Sequence, residues 1–75
     1  MSKLPVVSGR DLIKALSKIG YEVVRQRSSH VRLKVHDGSG RKPLTVPLHD
    51  PIKPGLLGHI IKDANLTVEE LIRLL

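Results

Sequence analysis

His30, Arg32, Lys34 and His36 alternate with Val31, Leu33 and Val35 along one short stretch, and Arg25 and Arg27 stand just upstream. This alternation is the period-two pattern of a half-buried strand, so two imidazoles and two cations share one face. An imidazole titrates near neutrality and can serve as general acid or general base. Guanidinium and ammonium groups beside it would hold an anion and stabilise charge developing on it. The face is too polar to bury and too one-signed to be an ordinary solvated mixture. A histidine alone on such a strand is usually plain surface; the clustering of cations around this one argues otherwise.

The whole chain is biased the same way. Its 75 residues carry 13 Lys plus Arg against 7 Asp plus Glu, a formal net charge of +6. On so small a body that favours a polyanionic partner, either nucleic acid or an acidic protein. Tyr21 is the only aromatic residue. Nucleic-acid contact should therefore rest on phosphates, sugars and shape rather than on stacked bases. The absence of cysteine excludes a disulfide framework and thiolate zinc chemistry. His36 and His59 lack partners at metal-ligand spacing, so neither a metal nor a cofactor is expected. Asp37, Asp50 and Asp63 fall in a turn, a connector and a helix end, where structural roles fit. Ser28 and Ser29 have no Ser/His/acid constellation around them and are expected to fix a turn. No apolar run reaches the length of a membrane span and Met1 to Val7 is no signal peptide, which leaves a soluble cytoplasmic protein as the expectation.

The elements that must position this face can be read in order. Ser8, with Asp11 three residues on, opens a helix over about 9–19 in which Leu12, Ile13, Leu16 and Ile19 form the apolar stripe and Gly20 the stop. A first strand follows over about 21–26, with Tyr21 and Val23 inward, although the adjacent Val24 leaves its register ambiguous. Arg27 and Ser28 reverse the chain into the second strand, about 29–36. Asp37-Gly38-Ser39-Gly40 is a strong turn signal. The third strand, about 42–48, alternates Leu44, Val46 and Leu48. Pairing 35 with 44, 33 with 46 and 31 with 48 satisfies one antiparallel register and sets His49 opposite His30. Pro47 makes the third strand an edge. Pro54 opens a second helix with Leu56, Leu57, Ile60, Ile61 and Ala64 as its stripe and Asn65 at its end. Thr67 with Glu70 is a capping box for a short third helix bearing Val68, Leu71, Ile72 and Leu75. The chain is expected to be one α+β domain over 1–75: α-β-β-β-α, a three-stranded antiparallel sheet with its helices on one face and a short C-terminal helix. That is the layering of the double-stranded-RNA-binding domain.

These residues resemble the HicA (YcfA-like) family of toxin–antitoxin toxins. Leu12-Ile13-Lys14-Ala15-Leu16 with Gly20-Tyr21 is similar to the family's opening helix and its exit. Arg25-Gln26-Arg27-Ser28-Ser29-His30 is similar to its R-Q-x-G-S-H turn. Thr45-Val46-Pro47-Leu48-His49 is similar to its V-P-x-H strand end, and Lys53-Pro54-Gly55-x-Leu57 with 60–66 is similar to its second helix. The likeness covers about 8–66, and the motifs together are more specific than any one of them. Ser28 departs from the pattern, standing where the family usually has glycine; if that position needs a positive φ, serine is strained there.

The resemblance implies a metal-independent endoribonuclease that cleaves mRNA and is silenced by a HicB-type antitoxin, with His30 as the catalytic histidine. Arg25, Arg27, Ser29, Arg32 and Lys34 would then contact RNA. His49, placed across from His30, is a candidate second acid/base; a solvated strand-end histidine is the simpler alternative. A non-catalytic RNA-binding or partner-docking module on the same fold is the competing function.

Overall fold

The computed structural model describes residues 3–36 and 38–75, so Met1, Ser2 and the Asp37 of the expected turn lie outside the described residues. The elements run α1 (Gly9–Ser17), β1 (Glu22–Arg27), β2 (His30–Lys34), β3 (Leu44–Pro47), α2 (Pro54–Asp63) and α3 (Val68–Leu74). The strands form one antiparallel sheet in the order β1-β2-β3. This is the expected α+β arrangement.

Local chemistry sets the element ends. Ser8 Oγ accepts the Asp11 N–H at 3.1 Å and caps α1. Gly20 follows at φ +100°, and Asn65 takes φ +57° after α2. Pro54 occupies the first turn of α2, where a missing N–H costs nothing. Cations finish two helices: Lys18 Nζ donates to Leu74 O at 2.7 Å and Arg41 Nε to Ala64 O at 3.0 Å. These two are occupied with backbone carbonyls and do not add to the sheet face.

The capping box of α3 is complete. Thr67 Oγ1 accepts the Glu70 N–H at 3.1 Å, and Glu70 Oε1 accepts the Thr67 N–H at 2.9 Å. The Thr67 backbone N–H, then its hydroxyl, hold the Glu70 carboxyl below the usual glutamate range. A folded-state pKa below the unfolded value gives stability that is present above the unfolded pKa and is lost as pH falls through the folded one. Glu70→Ala should therefore melt below the parent at neutral pH, and the gap should close on acidification through the range below the ordinary glutamate pKa. Parallel melts across that range check this, and a gap independent of pH would contradict it.

Leu12, Leu16, Leu33, Val46, Leu57 and Leu71 are fully buried between helices and sheet. Each such side chain contributes about 1.5–3 kcal/mol of burial. Tyr21 is buried too, and its hydroxyl donates to Lys42 O at 2.8 Å. The helices α1 and α2 lie over β3, and α3 packs on α1. Strand β1 is left beyond their reach, and all of its residues are exposed.

Three expectations need correction. Val23, expected inward, is 52% exposed: it faces the helix side opposite Leu33, but no helix extends that far. Leu56 and Ile72 fall off the buried stripes of their helices and are exposed. The β2–β3 register is displaced by two residues, so that Val31 faces Val46, Leu33 faces Leu44, and His30 faces Pro47 rather than His49. Displacement by two keeps every side chain on its own face, so the apolar pattern is equally satisfied.

The end of β3 is tied in from the other side. Leu48 N–H donates to Ser29 O at 2.7 Å, Gly9 N–H to His49 O at 2.9 Å and Ile52 N–H to Val7 O at 2.9 Å. By the alternation of an antiparallel ladder, the Pro47 nitrogen points away from β2, which is where a residue without N–H is tolerated.

Candidate nucleic-acid interface

The open side of the sheet is built in rungs. Arg27 stands opposite His30, and Pro47 flanks His30 on the other side. Arg25 stands opposite Arg32, and Thr45 flanks Arg32. Glu22 stands opposite Lys34. A β-bulge between Val23 and Arg25 makes this possible. With Val24 as the extra residue, Val23 faces the helices while Arg25 and Arg27 both face out, which resolves a register left ambiguous by two adjacent valines.

Arg25, Arg27, His30, Arg32 and Thr45 line one open concavity of about 240 Å³. An adjoining hollow is lined by Val24, Arg25, Arg32 and Lys34. His30 is exposed, and Arg32 is half-buried with its Nη1 donating to Thr45 Oγ1 at 3.1 Å. Arg25, Arg27, Arg32 and His30 are thus brought together, with Lys34 one rung further on. Ser29 is in the turn, where its carbonyl accepts from Leu48. His49 is exposed beyond Pro47, and its carbonyl accepts from Gly9.

Thr45 joins the site although sequence reasoning did not single it out. Its outward position between Leu44 and Val46 was the available signal, but the expected register set it across from Lys34. His36, read as partnerless, lies with its Nε2 3.9 Å from Glu22 Oε2, and both are well exposed. Such a contact adds little, and only when the imidazole is charged. Among the described residues, no three His, Asp or Glu side chains gather as a metal-ligand set would. Among them, too, no helix is long and apolar enough to cross a membrane.

The turn that delivers His30 is a two-residue hairpin, Ser28-Ser29 between paired Arg27 and His30. Ser28 has φ +55°, and Ser29 is not in the positive region. Positive φ at the first central position only is the pattern of a type II′ turn, which favours glycine there. Gln26 Nε2 bridges the loop to Ser28 O at 3.3 Å. The left-handed cost, less the extra entropy a glycine loses, predicts that Ser28→Gly stabilises by about 1 kcal/mol. The melting temperature should rise by about 4–8 °C. An unchanged or lower value would mean that serine is not strained at this turn.

A family model described as HicA toxin of bacterial toxin-antitoxin matches residues 9–66 of the chain. The match begins at the first residue of α1 and ends just past α2, so it contains the whole basic face. No curated protein matches the chain in sequence.

Proposed function

The chain belongs to the HicA toxin family, and from that premise we propose that it is an mRNA-cleaving endoribonuclease that needs no metal and uses His30 as its essential acid/base. The observation that carries this reading is an exposed imidazole sharing one concavity with three guanidinium groups, those of Arg25, Arg27 and Arg32. RNA supplies its own nucleophile. The 2′-oxygen attacks the adjacent phosphorus, the 2′-OH proton must be taken, the bond to the 5′-oxygen breaks, and that oxygen must be protonated. An imidazole suits either proton role. The guanidinium groups would offset the charge that accumulates on the phosphoryl oxygens.

Register bears on His49. Pro47 stands where an acid–base partner for His30 was expected, so the reading rests on His30 alone. Lys34 and Ser29 would contact RNA at the margins of the concavity.

Membership in a toxin–antitoxin family implies a HicB-type antitoxin as partner. A protein covering this face must compensate the cations it desolvates, so its contact surface should be acidic. Both toxin and antitoxin would act where mRNA is translated, in the cytoplasm.

Turnover is the deciding measurement. Purified protein in EDTA should cut a molar excess of RNA. A non-catalytic module on the same fold would only retard RNA, with affinity that falls steeply as salt rises.

A further inference from the structure

We infer that Arg25, Arg32 and Thr45 form a second phosphate subsite one nucleotide along β2 from His30, so that the substrate lies as an extended single strand on the sheet. This deepens the nuclease reading and rests on it for which phosphate is cut, though not for where phosphates are held.

Arg25 and Arg32 are direct cross-strand neighbours. Like charges in that position repel, so the empty face carries a cost that an anion between them reverses. Arg32 does not swing freely. Its Nη1 is tethered to Thr45 Oγ1 at 3.1 Å, from the third strand of the same rung. A guanidinium has five N–H donors, so one tether leaves the others to bind while fixing their direction. Less side-chain entropy is then lost when phosphate arrives. The His30 rung differs: Arg27 is on one side and Pro47, which has no donor, on the other.

Successive outward rungs are two strand residues apart, roughly 6.6–6.8 Å. That is the scale of one phosphate-to-phosphate step in an extended strand, so both rungs can be filled by consecutive phosphates. The third rung breaks the series, because the cross-strand partner of Lys34 is the acidic Glu22 rather than a third cation. Strong phosphate preference should therefore span two rungs and stop. Tyr21, the sole residue of the Phe, Tyr and Trp class, is buried, so this face offers no large aromatic stacking platform, and recognition falls mainly on the backbone.

The test uses 2′-O-methyl oligouridylates, which lack the attacking hydroxyl and report binding without cleavage. Wild type should gain about tenfold in affinity when a second phosphate is added, the effect of one charge-assisted contact set. Further phosphates should add less than threefold each. Arg32→Ala and Thr45→Val should weaken two-phosphate ligands far more than one-phosphate ligands, removing most of the second-phosphate gain, and Thr45→Ser should restore it. The subsite is overturned if wild type shows no gain from the second phosphate, or if Arg32→Ala and Thr45→Val weaken every ligand by one common factor. Unmodified oligouridylates separate the two ideas. If they bind with the same length dependence yet stay uncut, the subsite stands and the nuclease reading fails.

Discussion

His30→Ala is expected to lower RNA cleavage by roughly 10²–10⁴-fold, the range that a positioned acid or base contributes, and to leave the fold intact. The side chain is exposed, outside the apolar cluster between sheet and helices. Removing it empties no cavity, and surface substitutions of this kind stay within about 0.5 kcal/mol. RNA affinity should fall only slightly, because Arg25, Arg27 and Arg32 remain on the same face. The separation of effects is the diagnostic: cleavage lost, melting temperature and RNA retardation kept. In cells, inducible wild type should arrest growth with RNA decay, and the variant should do neither while still reaching full expression. Cleavage by the pure variant within a few-fold of wild type would remove His30 from the mechanism. Loss of both cleavage and fold would instead mean that the imidazole is structural, contrary to its exposure.

The same separation bears on the competing reading. A docking or RNA-binding module would use Arg25, Arg27 and Arg32 and be indifferent to His30 beyond a small change in affinity. Only a reaction makes the imidazole worth more than its neighbouring cations. Each of those cations, replaced singly, removes one phosphate contact, whereas His30→Ala removes a proton transfer.

What could be read from the sequence follows the range of the forces involved. Ser8, Gly20, Pro54, Asn65 and the Thr67–Glu70 box act within a few residues of themselves, and each sits at the helix boundary its chemistry implies. The alternation through Val31 and Leu33 is equally local and placed His30, Arg32 and Lys34 on one face. The β2–β3 register is different. A slide by two residues leaves every apolar residue inward, so hydrophobic pattern cannot distinguish the two pairings. What decides it is tertiary: the contact of Ser29 with Leu48, and the seating of Gly9 and Val7 against His49 and Ile52. Thr45 was hidden by the same slide. Val23 shows a second limit, since inward-facing and buried are separate properties when the covering helices stop short of an edge strand.

Gly9→Ala should be strongly destabilising, because the contact it disturbs is the one that anchors β3. Gly9 is the first residue of α1, and a Cβ there would collide with the Pro47 carbonyl oxygen and lie 3.0 Å from Leu48 Cα. All of these are backbone atoms, so no side chain can rotate aside; α1 or β3 must move. Movement also threatens the 2.9 Å bond from Gly9 N–H to His49 O. Overpacking and a weakened hydrogen bond together cost about 3 kcal/mol. A domain of this length has about 4–11 kcal/mol in all, so the melting temperature should fall by about 12–24 °C. Gly58→Ala is the matched control: it lies inside α2 with nothing within 4 Å of its added Cβ, and should stabilise by about 0.5–1 kcal/mol. The consequence reaches the site because Pro47 is the cross-strand neighbour of His30. Displacing β3 shifts Thr45 with it and loosens the tether on Arg32, so Gly9→Ala should lose cleavage even at temperatures where it remains folded. If the two alanine variants melt within a few degrees of each other, the helix-to-strand contact is not what fixes the register, and another constraint must hold Thr45 beside Arg32.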